Sequence, residues 1–129
     1  MGIRMVRNSS VIIATLLFCH SAAAEWTKVG ENIRGTAFYV DKETIEAQGN
    51  TRKLWELESF REPTKQGISS IKVRREYDCA REAVRYITYT AYSGKFADGE
   101  QLGVVNNPSA WDPVPGNPSG RAAYRMVCH

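Results

Sequence analysis

A β-dominated α+β fold, an antiparallel meander of about five or six strands followed by one short C-terminal helix, is what this sequence predicts. Three observations predict it. Turn-forming residues recur at intervals suited to strands, Ile68 to Cys79 alternates in character with a period of two, and a helical pattern appears only at the C-terminal end. No internal repeat, low-complexity tract or long linker breaks this organisation.

Residues 1–24 stand apart and read as a signal peptide. Arg4 and Arg7 give a basic start, Val11 to Phe18 are apolar apart from Thr15, and Ala22, Ala23 and Ala24 supply the small residues that signal peptidase requires. The apolar run is shorter than the roughly 20 residues that span a bilayer core, so no transmembrane segment is expected once the peptide is removed after Ala24. Cys19 stands where a lipoprotein would be acylated. Bulky Phe18 precedes it where a small residue is the rule, so lipid anchoring is not expected. The mature chain is then residues 25–129, expected as a single domain that is periplasmic or secreted.

Within it, Trp26 to Val29 opens the meander, Gly30 to Gly35 turns, and Thr36 to Val40 is a short run of β-branched and aromatic residues. Asp41 to Thr44 reads as a tight turn and Gly49-Asn50 as the next reversal. Arg52 to Arg61 follows as a strand with Trp55 and Leu57 on one face and Glu56 and Glu58 on the other; Pro63 ends it. From Ile68, one face takes Ile71, Val73, Arg75, Tyr77 and Cys79, the other Lys72, Arg74, Glu76 and Asp78. Strict alternation in Ala83 to Ser93 sets Val84, Tyr86, Thr88, Thr90 and Tyr92 opposite Arg85, Ile87 and Tyr89.

Gly94 to Gly103 reads as a loop. Pro113, Pro115, Gly116 and Pro118 make Trp111 to Ser119 a surface crossing and not a strand. Pro118 and Ser119, the expected N-cap, lead into a helix from Gly120 to Cys128 on which Tyr124 and Cys128 share a face.

The full chain carries 17 Lys and Arg against 14 Asp and Glu, a formal +3; losing Arg4 and Arg7 brings this to about +1, which gives no support to a nucleic-acid partner. Cys79 and Cys128 are the thiols left after cleavage. An even pair in an exported chain reads as a disulfide in preference to a metal or redox site, since neither lies in a CxxC spacing. A bond between them would pin the helix to the sheet.

Catalytic chemistry finds little to stand on. His129, the last residue, is the one histidine after cleavage, so neither a Ser-His-Asp arrangement nor a histidine zinc site is expected. Glu56 with Glu58 and Glu76 with Asp78 read as the solvated outer side of a sheet, not as a tuned acid pair. No phosphate-binding glycine motif is present, and no cofactor or metal is expected. The chain reads as a non-enzymatic binding protein. Its candidate ligand-binding residues are Lys72, Arg74, Arg85 and Tyr89: the basic strand pair offers cations to acidic groups, and tyrosine is enriched at interfaces. Set against this, the cations balance Glu56, Glu58, Glu76 and Asp78 as cross-strand pairs, and the tyrosines are core. Arg75 faces inward, to a buried ion pair or the sheet edge.

Taken in order, Trp26 with Val29-Gly30, Phe38-Tyr39-Val40-Asp41, Thr44-Ile45, Leu54-Trp55-Glu56-Leu57, Ser70 with Lys72, Glu76-Tyr77-Asp78-Cys79, Trp111 with Pro113-Val114-Pro115-Gly116 and a final Cys128 resemble the surface-adhesin protein E family of Gram-negative envelope proteins. The resemblance covers nearly all of the mature chain. It implies an antiparallel sheet with a C-terminal helix tied to it, Cys79 and Cys128 as the bonded pair, and binding of a host protein such as a matrix protein or plasminogen. The family's namesake is lipid-anchored, whereas Phe18 before Cys19 leaves this chain without that anchor. A soluble periplasmic binding or structural module, with an envelope protein or small ligand as partner, is the alternative.

Overall fold

The computed structural model describes residue 2, residues 8–15 and residues 24–129. Arg4, Arg7, Cys19, Ala22 and Ala23, on which export and anchoring were read, lie outside the described residues. Among the described residues no helix is long and apolar enough to cross a membrane.

The sheet is an antiparallel meander in which each strand pairs with its successor: β1 (Thr27–Glu31), β2 (Ala37–Gln48), β3 (Thr51–Ser59), β4 (Ser70–Asp78), β5 (Ala83–Tyr92) and β6 (Gln101–Val105). A two-residue strand, β7 (Asp112–Pro113), pairs with the start of β5, whose far end pairs with β6. The chain closes with α1 (Pro118–Cys128). Turn chemistry sets the reversals. The Asn32 side-chain oxygen accepts the N–H groups of Arg34 and Thr36, and Gly35 takes the positive φ that the turn demands. Gly49, also at positive φ, makes a two-residue hairpin with Asn50.

Several elements differ from the sequence expectation. Asp41 to Thr44 is not a reversal: β2 runs on to Gln48 and bulges between Asp41 and Glu46. The Asp41 carboxylate accepts Glu43 N–H, and the Thr44 hydroxyl donates to the Asp41 carbonyl, so the turn chemistry is there but folds inside a strand. Gln101–Val105, whose first three residues fall in the loop expected over Gly94 to Gly103, is a strand, and so is Asp112–Pro113 within the expected surface crossing. The helix begins earlier than expected. Asn117, not Ser119, is its N-cap, accepting Gly120 N–H at 2.8 Å, with Pro118 in the first turn where its missing N–H costs nothing.

A second bulge has the larger effect on side-chain placement. Between Arg74↔Thr88 and Arg75↔Tyr86 the register jumps by one residue on β5. Ile87 is the extra residue, and strict alternation fails there: Tyr86 and Tyr89 come to one face, their rings 5.2 Å apart, in place of opposite faces.

The core lies between the helix and one face of the sheet, where Val40, Leu54, Tyr77 and Val84 meet Ala123, Tyr124 and Val127, with Val114 from the crossing segment. An amphipathic helix of 11 residues holds little stability by itself, so its place depends on this burial and on two further ties. Cys79 is bonded to Cys128, and the Tyr124 hydroxyl donates to the Cys79 carbonyl at 2.9 Å. The i,i+4 spacing aims both ties at one residue.

Closing a loop with a sequence separation of 49 residues is worth about 4 kcal/mol in the chain-entropy account. The Cys79→Ala/Cys128→Ala double variant is therefore expected to lose about 2–4 kcal/mol of unfolding free energy, read from the urea midpoint. Asn117→Ala is expected to lose about 1 kcal/mol by the same measurement, since it removes the cap alone.

Candidate functional site

Alternation on β3 and β4, together with the register between strands, sorts their charged residues onto two faces that use them differently. On the helix side, Glu56, Glu58, Arg75 and Tyr77 form one cluster. The Arg75 guanidinium pairs with Glu56 and, at 3.3 Å, with Glu58, while the Tyr77 hydroxyl donates to Glu56 at 2.6 Å. Glu56 is 7 % exposed, so the expected solvated outer side is in fact the covered side. Arg75 is in a buried ion pair on a central strand, not at an edge.

This cluster borders a cavity of about 160 Å³ between the sheet and the first turns of α1, walled by Val29, Phe38, Pro115 and Ala123. Loss of solvent raises the Glu56 pKa above its ordinary value, outweighing the Arg75 charge and the Tyr77 hydrogen bond that act the other way. The same burial, with the Glu56 charge beside it, pushes the Tyr77 phenol well up. Arg75 stays a cation, because the carboxylates around it outweigh its own desolvation. One arginine spans both carboxylates. The two carboxylates thus share a single cation, Arg75. Among the described residues no group of His, Cys, Asp and Glu is placed to hold a metal.

On the opposite, outer face, successive strands line up Tyr39, Leu57, Lys72, Thr90 and Val104 in one row and Asp41, Trp55, Arg74 and Thr88 in the next. The Lys72 ammonium lies 4.6 Å from the centre of the Trp55 ring and the Arg74 guanidinium 5.5 Å from it. Arg74 also meets the exposed Glu46 at 3.2 Å. The β2 bulge walls a shallow cleft of about 330 Å³ beside them, lined by Trp26, Trp55, Lys72, Asp41, Glu43 and Thr44.

Of the four residues singled out from sequence, only Lys72 and Arg74 sit together. Arg85 is on the same face but is taken up by buried Glu76, at 2.7 Å, and stacks on Trp111. Tyr89 is on the helix-side face beside Tyr86, because the Ile87 bulge turned it over. Glu76 and Asp78, also read as solvated, are occupied too: Lys53 and Arg85 cover Glu76, and Asp78 accepts the N–H groups of Ala80 and Arg81 in the β4–β5 turn. Sequence reasoning missed Trp55 as the centre of the basic patch. Arg74, directly opposite it, and Lys72, diagonal to it, are 19 and 17 residues away in the chain, and only the β3–β4 register joins them.

A family model described as surface-adhesin protein E matches residues 26–129. Among curated proteins, none matches. The structure of Haemophilus influenzae protein E in its selenomethionine form superposes with a TM-score of 0.64 at 11% identity, covering 82% of this chain and 87% of that one. A second crystal form of the same protein gives a TM-score of 0.62 at 13% identity, covering 82% of this chain and 88% of that one. At such identities the likeness is one of fold.

The raised Glu56 pKa carries a definite sign. A carboxyl that ionises less readily when folded adds stability in full below its unfolded value, and that contribution is lost as pH rises through the folded value. Glu56→Gln is therefore expected to remove a destabilisation that wild type acquires between acid and neutral pH. The check is the urea midpoint of both proteins from about pH 4 to pH 7, where the difference between them should change steadily in favour of the Gln variant.

Proposed function

Because this chain belongs to the surface-adhesin protein E family, we propose that it is an exported binding protein of the cell envelope that captures an acidic protein partner on its outer sheet face. The observation that carries this reading is the placement of Lys72 and Arg74 around Trp55. Arg75 and Arg85 are consumed by buried carboxylates, whereas Lys72 rests on an aromatic ring and Arg74, its own side chain 14% exposed, pairs with the exposed carboxylate of Glu46. Lys72 is then the cation that exchanges a weak internal contact for a partner's carboxylate, and Arg74 is reached through the exposed end of its pair with Glu46.

Export follows from the signal-peptide reading of residues 1–24, with cleavage after Ala24. The partner is an extracellular protein of a host if the chain reaches the cell surface, and another envelope protein if it stays behind the outer membrane. A small-ligand role in the periplasm has its own support in the cavity beneath α1, which is near the size that admits a single small ring.

Protease and antibody access to the native protein on intact cells, beside fractionation of periplasm, outer membrane and medium, separates these readings. Signal at the surface or in the medium is the expected result for host capture; signal confined to the soluble periplasm would sink it. With a captured partner in hand, the Lys72→Glu/Arg74→Glu variant is expected to bind on the order of tenfold or more weakly at low salt, the gap closing as salt rises.

A further inference from the structure

The β5–β6 hairpin places an aromatic side chain where a polar residue or glycine would fold better, and we propose that Phe96 is an anchor by which the outer face grips an extended acidic segment whose apolar side chains alternate with carboxylates. This rests on the binding reading above and adds what the partner must present. Phe96 and Ala97 have φ of 56° and 57°, and Asp98 N–H donates to the Lys95 carbonyl at 3.1 Å. These are the marks of a two-residue primed turn, in which Asn-Gly is the favoured pair and residues with a Cβ are strained. Burial offsets the strain only in part, for Phe96 stays 48% exposed, its ring edge-on to Tyr39 with centroids 5.2 Å apart.

The turn is nevertheless held firmly. Ser70, fully buried on β4, donates its hydroxyl to the Gly94 carbonyl at 2.6 Å and accepts Ala97 N–H at 2.9 Å. Gly94 N–H donates to the Asp98 carbonyl at 3.0 Å, and a Cβ on Gly94 would lie 2.7 Å from that oxygen. A costly conformation, braced from below and presenting a half-bare aromatic ring, is the pattern of a preorganised contact residue. The charge around it names the partner. Phe96 rests on Tyr39, at one end of the row whose middle holds Lys72 and whose far end holds Val104, 53% exposed. Apolar contacts at both ends, with Lys72 between them and Arg74 in the adjacent row, fit an extended segment with carboxylates between its apolar side chains. At about 4.8 Å per strand the row is within reach of such a segment of about ten residues.

The experiment pairs binding with stability. The probe is a fluorescein-labelled peptide of about ten residues built from Glu and Ser with two Leu, beside a control with Ser at both Leu positions, titrated into the mature protein. Wild type is expected to bind the Leu peptide on the order of tenfold or more tightly than the control. The Phe96→Asn/Ala97→Gly variant, which installs the preferred turn pair, is expected to raise Tm by a few degrees while losing that preference. A fall in Tm would make Phe96 a structural plug and overturn the proposal, as would undiminished binding by the variant or no binding by wild type. Lys72→Glu/Arg74→Glu is the separate arm: if it leaves peptide binding intact, the basic-patch reading fails while the Phe96 anchor stands.

Discussion

The rest of the molecule depends on the helix being held against one face of the sheet, and the hold is concentrated on Cys79. Its sulfur is bonded to Cys128 and its carbonyl takes the Tyr124 hydroxyl, so one residue just past β4 receives both ties from the last turns of α1. Without them a helix of 11 residues would have to keep its place on a handful of apolar contacts, in a domain too small to waste any. With them, Val40, Leu54, Tyr77 and Val84 are sealed.

The same closure decides the chemistry of the charged residues. Glu56, buried on the covered face, is matched by Arg75 and Tyr77 in place of water. The outer face is covered in part, with Leu57, Ser70 and Glu76 buried on it and the β5–β6 turn bonded to Ser70. There Lys72 and Arg74 lean on Trp55, a contact worth little and easily exchanged. The proposed binding rests on this outer-face arrangement, in a chain of the surface-adhesin protein E family.

Most of the architecture could be read from residue pattern, because a half-buried strand repeats every two residues and turns need particular backbone angles. The Gly49-Asn50 hairpin and the inward face of Ile71, Val73, Arg75 and Tyr77 follow from those two facts. The candidate site was legible only in its cations. Trp55 joins Lys72 and Arg74 through a register between strands, and the turn at Phe96 adopts angles that its sequence does not favour. Likewise β6, short and interrupted by Gly103, owes its place to a free edge on β5.

By itself, then, the sequence determined the antiparallel meander, the terminal helix and the alternation that separates Lys72 from Arg75, since each depends on neighbours along the chain, and the pairing of Cys79 with Cys128, since residues 25–129 hold two cysteines. Only the tertiary structure decided which face would be covered and what the bulges would do. One extra residue at Ile87 turns Tyr89 away from the basic patch, and the bulge after Asp41 opens a cleft beside Trp55. Whether Glu56 meets water or Arg75 depends on where the helix lands, and that is fixed by contacts between residues far apart in the chain.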